Sequence, residues 1–398
     1  MHAFEVTATS EYFLGLPVAD FLSVYWQKRP LLVRQALPSY TPPLTPEDLA
    51  GLACEEAALS RLVIHERKHD RWQLRSGPFK EKEFPKLGGE DWTLLVQDMD
   101  KWDVDVRALL EHFRFLPAWR VDDVMISFAT PGGSVGPHVD QYDVFLLQAQ
   151  GQRRWHIDAH PSPPRECRDD AELKLLKRFT ASHEWVLEPG DMLYLPPGVP
   201  HHGEAIDACM TFSIGMRAPS RAELIVDLAE ELAAALPEEL RYADPDLALP
   251  TDAFEIDTAA MGRVQDALEA LRSVDERHLR DWFGRFITRY RAAGEITLAG
   301  NAPSTAVVSS ALARGGSLLR HPFARMAWSR SATAEHEALL FANGEAHPMS
   351  ADSASLLART GSIDAPLRDQ LDLRGRQALD ALVAGGHYQL QKVSRSRP

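Results

Sequence analysis

The spacing of apolar positions along this chain changes character several times, and each change predicts a different kind of element. The opening run, residues 13–18 followed by Asp20-Phe21-Leu22-Ser23-Val24-Tyr25-Trp26-Gln27-Lys28-Arg29-Pro30-Leu31-Leu32-Val33, reads as a short helix. Pro30 ends it, because proline lacks the N–H a helix interior needs, and a strand follows. Thr45-Pro46-Glu47-Asp48 predicts a second helix: threonine caps it, proline suits the first turn, and the acidic side chains suit the positive end of the helix dipole. From about residue 62 to 218 the pattern shortens to strands at 92–96, 123–128, 144–148, 153–157, 192–195 and 210–214, separated by Gly, Pro and Asp turns. Many short strands of this kind predict a sandwich or barrel.

After Ala218-Pro219 the helical period returns. Ser220-Arg221-Ala222-Glu223 is a capping box that opens an amphipathic run over residues 224–236, and further helical patterning over about 259–291 carries Trp282, Phe283, Phe286 and Tyr290. That helical unit packs on itself or on another subunit, and the pattern does not choose. Beyond it, 304–313 reads as a helix, Asn343-Gly344 in Leu339-Leu340-Phe341-Ala342-Asn343-Gly344-Glu345 is a hairpin signal, and 350–358 and 367–383 read as helices before a final strand near 387–393. Helices with a hairpin wing predict a winged-helix-like domain. The tail 394–398 is expected to fray.

Composition narrows the class. With 398 residues, 45% apolar and 25% charged, the chain has the content of a globular protein too long for one typical domain. Neither a bilayer-length apolar run nor the basic-then-apolar start of a signal peptide is read, so a cytoplasmic, membrane-free protein is expected. Cys54, Cys167 and Cys209 are scattered and form no CxxC pair, which argues against a disulfide framework and a structural zinc site. Acidic residues outnumber basic ones by 57 to 43, a net charge of −14. That field disfavours direct nucleic-acid binding and favours a basic polypeptide partner, although Arg320, Arg325 and Arg330 are a possible local basic patch.

The chemistry gathers in Gly136-Pro137-His138-Val139-Asp140-Gln141-Tyr142. On a strand, His138 and Asp140 point to one face. Two polar residues on one strand face are by themselves equally well explained by ordinary hydrogen bonding. The second half of the signal is Gly190-Asp191, followed ten residues after the aspartate by His201 behind a Pro/Gly corner. His202 is the local rival, but neighbours in extended chain point apart, so His201 is the chosen third ligand. Two imidazoles and one carboxylate suit iron(II), leaving about three coordination positions for a bidentate cosubstrate and dioxygen. An oxygenase of this type needs an electron-donating cosubstrate, often 2-oxoglutarate, held by a cation and a hydroxyl. Arg153 is the candidate cation, its fork matching a carboxylate, with a solvated strand charge, at it or Arg154, as the alternative. Ser127 is the candidate hydroxyl.

The segments Trp26-Gln27-Lys28-Arg29-Pro30, Ser76-Gly77-Pro78-Phe79, Gly133-Ser134-Val135-Gly136-Pro137-His138-Val139-Asp140-Gln141-Tyr142-Asp143-Val144-Phe145, Gly190-Asp191-Met192-Leu193-Tyr194-Leu195-Pro196-Pro197-Gly198 and Gly215-Met216-Arg217-Ala218-Pro219 resemble the bacterial JmjC-type ribosomal oxygenases. The likeness is close to about Tyr290 and weaker beyond. It implies an α+β fold: a double-stranded β-helix (cupin/JmjC jelly roll) with N-terminal helices over 1–218 (core about 92–218), a helical dimerisation segment over 219–295 and a winged-helix-like domain over 296–398. It implies Fe(II) held by His138, Asp140 and His201, 2-oxoglutarate held by Ser127 and Arg153, O2 as cosubstrate, and a homodimer acting on an arginine Cβ of a basic large-subunit ribosomal protein. Asp122 or Asp123, with Ser213, are candidates for the substrate guanidinium, since a buried guanidinium requires a paired anion, and Tyr142 is a candidate for shaping the substrate tunnel. Rival readings keep the iron but change the target to methyl-lysine, another side chain or tRNA, or make the protein a non-catalytic metal-containing cupin that only binds a partner.

Overall fold

The computed structural model describes residues 3–249, 254–290, 296, 302–331 and 337–391. The tail 394–398, the strand end at 392–393 and Arg291 lie outside the described residues. The chain forms two compact units, Met1–Ala218 and Pro219–Pro398.

In the first unit the strands are β1 (Glu5–Thr7), β2 (Leu31–Arg34), β3 (Ser60–Glu66), β4 (Arg71–Ser76), β5 (Trp92–Val96), β6 (Val121–Ala129), β7 (His138–Val139), β8 (Val144–Gln150), β9 (Arg153–Ile157), β10 (His183–Leu187), β11 (Met192–Leu195), β12 (Pro200–Ala205) and β13 (Cys209–Met216). They build a nine-stranded sheet, β1-β2-β11-β8-β13-β6-β5-β3-β4, and a four-stranded sheet, β10-β9-β12-β7. The two layers make the double-stranded β-helix. Helices Val18–Val24 and Pro46–Leu52 lie where the sequence predicts them, the second capped by Thr45 in a capping box with Asp48.

The central strands β11 and β13 are buried along their whole length, and the reason is visible in which neighbours each face meets. Phe145, Leu147, Met192, Tyr194, Met210, Phe212 and Ile214 pack with Phe21 and Leu49 of the N-terminal helices. Val144, Leu146, Leu193 and Leu195 point the other way, against Trp155 and Ile157 of the small sheet. A strand covered on both faces loses its apolar-polar alternation and reads as a continuous apolar run. β12, by contrast, is Pro-His-His-Gly-Glu-Ala, which carries little strand propensity and acquires its conformation from the partners on either side.

Two buried aspartates tie the N-terminal segment to the barrel. Asp143 accepts hydrogen bonds from Tyr194 Oη at 2.7 Å, Gln27 Nε2 at 2.9 Å and Arg120 Nη2 at 3.1 Å. Asp191 takes Arg34 Nη1 at 2.7 Å and the Gln35 backbone N–H at 2.9 Å. Each buried carboxylate is compensated by several donors, as burial of a charge demands.

In the second unit, helix Arg221–Ala234 opens on the Ser220/Glu223 capping box. The patterning over 259–291 resolves into Thr258–Ala267 and Glu276–Arg289, the latter capped anew by Asp275. Trp282 Nε1 donates to Asp227 at 2.8 Å, and Gly284 lies on the Phe341 ring, where a Cβ would clash. The wing is the sheet of Met326–Arg330, Glu337–Ala342 and Glu345–Ser350; Asn343 and Gly344 both take positive φ (46° and 94°), as a tight hairpin turn requires. The single helix expected over 367–383 is two, Ala365–Gln370 and Leu373–Ala384, because Asp372 caps the second: its carboxylate accepts the Gly375 N–H at 2.6 Å. Nor do Arg320, Arg325 and Arg330 form a basic patch. Arg325 is buried on the Tyr290 carbonyl, Arg320 donates to the Ala358 carbonyl, and Arg330 sits over the Trp328 ring.

Candidate active site

β7 runs antiparallel to β12, with His201 opposite His138 in register. His138 Nδ1 lies 2.9 Å from the Gly136 carbonyl and His201 Nδ1 lies 3.0 Å from that of Val199. Each carbonyl accepts from Nδ1–H, so each Nε2 is left as an electron-pair donor. Asp140 places Oδ1 3.9 Å from His138 Nε2 and Oδ2 3.6 Å from His201 Nε2. Those separations are too long for hydrogen bonds and suit atoms that meet around one ion. The ligand atoms of all three lie within 4.8 Å of one another. Burial, reinforced by His138, pushes the His201 imidazole down to about 4, so it is neutral at ordinary pH, as a metal requires. The rival His202 faces outward, its ring stacked on that of His156 with centroids 6.0 Å apart.

Arg153 opens β9 and turns into the barrel, where it is 3% exposed. Its Nη1 lies 3.4 Å from Ser127 Oγ and 3.5 Å from Thr211 Oγ1, Nη2 lies 3.3 Å from the Gly203 carbonyl, and its guanidinium carbon stands 5.3 Å from the Trp155 ring centre. These contacts are long, Nε is buried without a hydrogen-bond partner, and no carboxylate pairs with Arg153 among the described residues. Burial lowers the Arg153 pKa. A buried guanidinium short of acceptors is a seat for an anion. Gly203 makes the seat possible, since a Cβ there would come within 2.8 Å of Trp155 and 2.9 Å of Arg153 Nε. Arg154 points outward to Glu184 at 3.2 Å. Thr211, which sequence reasoning passed over, pairs across the strands with Ser127; it shares a face with Ser213, and that spacing of two was the available signal.

On β6, Val124 and Ile126 join the core shared with the helices, so Asp123, Met125 and Ser127 face the barrel interior. Met125 lies opposite Ser213 of β13. Asp122 faces away and pairs with Arg217 Nε at 3.1 Å. Asp123 instead accepts the Asp98 backbone N–H at 3.0 Å, and burial, followed by the neighbouring Asp98 charge, pushes its acid up to about 7. Tyr142 is close to Asp140 and Asp123; burial above all, then Asp140, raises its phenol. The interior thus carries a metal-ligand triad, a buried cation on one side and a reluctant carboxylate on the other.

Comparison with known proteins agrees with this arrangement. Residues 108–224 match the model of the JmjC domain and residues 267–389 that of the ROXA-like winged helix. Over 284 residues the chain is 40% identical to the ribosomal protein uL16 3-hydroxylase of Escherichia coli (strain K12), covering 71% of this chain and 74% of that protein. The X-ray structure of E. coli ycfD matches with a TM-score of 0.80 at 35% identity, over 95% of this chain and 99% of that one. A structure of the ribosomal oxygenase YcfD from Escherichia coli in complex with cobalt and 2-oxoglutarate matches over the same shares, with a TM-score of 0.77 at 34% identity.

Proposed function

The chain belongs to the JmjC-type ribosomal oxygenases, metal- and 2-oxoglutarate-dependent dioxygenases, and from that premise we propose that it hydroxylates an arginine, at Cβ, of a large-subunit ribosomal protein. The observation that carries the arginine is Asp123: a carboxylate facing the barrel interior, on the same strand face as Ser127, that accepts a backbone N–H but has no salt bridge to a cationic side chain among the described residues. The similarity to a uL16 3-hydroxylase supports the class of target.

In this reading His138 and His201 offer Nε2 and Asp140 a carboxylate oxygen to Fe(II). With 2-oxoglutarate and O2 bound, the iron supplies the oxidation, in which one oxygen atom goes to the cosubstrate as it loses CO2 to become succinate and the other to the substrate C–H. The chain's own work is positioning and shielding. Arg153 presents its fork to the distal carboxylate of 2-oxoglutarate, Ser127 and Thr211 offer hydroxyls beside it, and Trp155 keeps water from the guanidinium. Asp123 and Ser213 take the substrate guanidinium, Met125 and Tyr142 flank its aliphatic stem, and the methylenes fall towards the open side of the metal set.

A homodimer completes the reading. Ile225 and Val226 are exposed on helix Arg221–Ala234, and Leu224, Ile225, Leu228, Leu279 and Phe283 line an apolar groove of about 480 Å³ that a second copy would cover. A ribosomal protein target supports a cytoplasmic reaction. Large-subunit ribosomal proteins incubated with the enzyme, Fe(II) and 2-oxoglutarate should gain one oxygen atom on one arginine, with succinate formed in equal amount, read by tandem mass spectrometry. Oxygen on a different residue type would overturn the arginine assignment.

A further inference from the structure

A second guanidinium faces the same interior and has no role so far. Arg61 lies on β3, where Leu62 and Ile64 pack into the core shared with the helices, so Arg61 points to the opposite, concave face. Its cross-strand neighbours are Ser76 on β4 and Leu95 on β5, and Leu95 in turn faces Ser127 on β6. Arg61 and the cosubstrate hydroxyl therefore sit in one row, two strands apart, or roughly 10 Å. The side chain is half-buried, its Nε is buried without a hydrogen-bond partner, and it has no ion pair among the described residues.

We propose that Arg61 binds the substrate polypeptide, donating to backbone carbonyl oxygens beside the residue that enters the barrel. This rests on the polypeptide-arginine reading above. A guanidinium whose Nε is shut off from water requires an acceptor, and the interior carboxylates already described are committed, Asp140 to the metal set and Asp123 to the substrate cation. With a net charge of −14 the protein selects a basic partner. The acceptor such a partner offers at every position is its main-chain carbonyl, and a planar fork can take one or two of them. Arg61 thus aligns the chain that carries the target, whereas Asp123 holds the target side chain.

The test uses the full-length protein, Fe(II), 2-oxoglutarate and a synthetic peptide spanning the arginine that gains oxygen. If wild-type enzyme adds no oxygen to any arginine, the underlying function fails, irrespective of Arg61. Given activity, Arg61→Met should raise the peptide KM about tenfold, the loss expected for a charge-assisted hydrogen bond. Its kcat should stay within about twofold and its 2-oxoglutarate KM should not move. An unchanged peptide KM, or a rise in the 2-oxoglutarate KM instead, overturns the proposal. Amide-to-ester replacement along the peptide, which weakens one carbonyl at a time, should cost wild type affinity at one or two positions and cost Arg61→Met nothing further there. If Arg61→Met does not fold, the ester scan on wild type and Arg61→Lys decides: the absence of a sensitive carbonyl, or equal sensitivity in both, overturns it.

Discussion

The two ends of the barrel interior hold buried charge in opposite ways. At the Arg153 end a cation is surrounded by Ser127, Thr211, the Gly203 carbonyl and the Trp155 ring, all neutral. At the Asp123 end a carboxylate sits close to the like charges of Asp98 and Asp122, with Lys101 a weaker opposing influence. Arginine cannot shed its proton at any working pH, so the first end remains charged and constantly demands an anion. The carboxylate can be neutralised, and its acid has moved up to about 7. In the function proposed above, the first end is a permanent seat for a small dianion, and the second answers to pH and to a substrate cation.

The largest expected effects come from removing what lies between the two ends. Asp140→Ala or His201→Ala should abolish stoichiometric metal binding, measured by elemental analysis, and lower hydroxylation by more than about a hundredfold. Either variant with metal and turnover intact would dissolve the shared centre on which the comparison depends. Next, Arg153→Met should raise the 2-oxoglutarate KM about a hundredfold while metal binding persists, since a bidentate charged contact is lost. If the peptide KM moved instead, the ends would have been assigned the wrong way round.

The smallest effect separates Asp123 from its neighbour. The substrate guanidinium stays charged throughout, so only ionisation of Asp123 matters: below about 7 the carboxyl is protonated and attracts the cation poorly, and above it the carboxylate is free to pair. The peptide KM should therefore fall as pH rises through about 7 and level off above it. Asp123→Asn should abolish that dependence and leave the KM high, whereas Asp122→Asn should keep the dependence, with its midpoint moved slightly down because one like charge beside Asp123 is gone, since Asp122 itself faces Arg217. A pH-independent KM in the wild type would remove Asp123 from the substrate site.

Much of this was legible in the residues. β5, β9 and β11 span 92–96, 153–157 and 192–195 as the apolar runs predict, and the capping boxes at Thr45 and Ser220 start helices where expected. Local chemistry suffices there, since a cap or a buried run depends on residues a few positions apart. The polar β4 and the Pro-His-His-Gly-Glu-Ala of β12 carry weak propensity and take strand form through their partners, whereas Leu62-Val63-Ile64 of β3 and Trp185-Val186-Leu187 of β10 are strand-favouring runs too short to stand out from the sequence. The pattern over 367–383 predicts one helix although the Asp372 cap is local, its carboxylate accepting the Gly375 N–H at 2.6 Å; the tertiary structure adds the Ser350 N–H on the other oxygen at 2.9 Å.

What the sequence determined by itself is therefore which residues share a face: His138 with Asp140, Ser127 with Asp123, Thr211 with Ser213. That alternation is a property of extended backbone and needs no partner. The sequence already put His201 before His202 and Arg153 forward as the cation, but only the tertiary structure decided which face turns inward, and so separated Arg153 from Arg154 and Asp123 from Asp122. The choice comes from pairing β12 with β7 and β9 and packing the other face of β6 on the helices. A shift of one residue would have exchanged every one of these pairs.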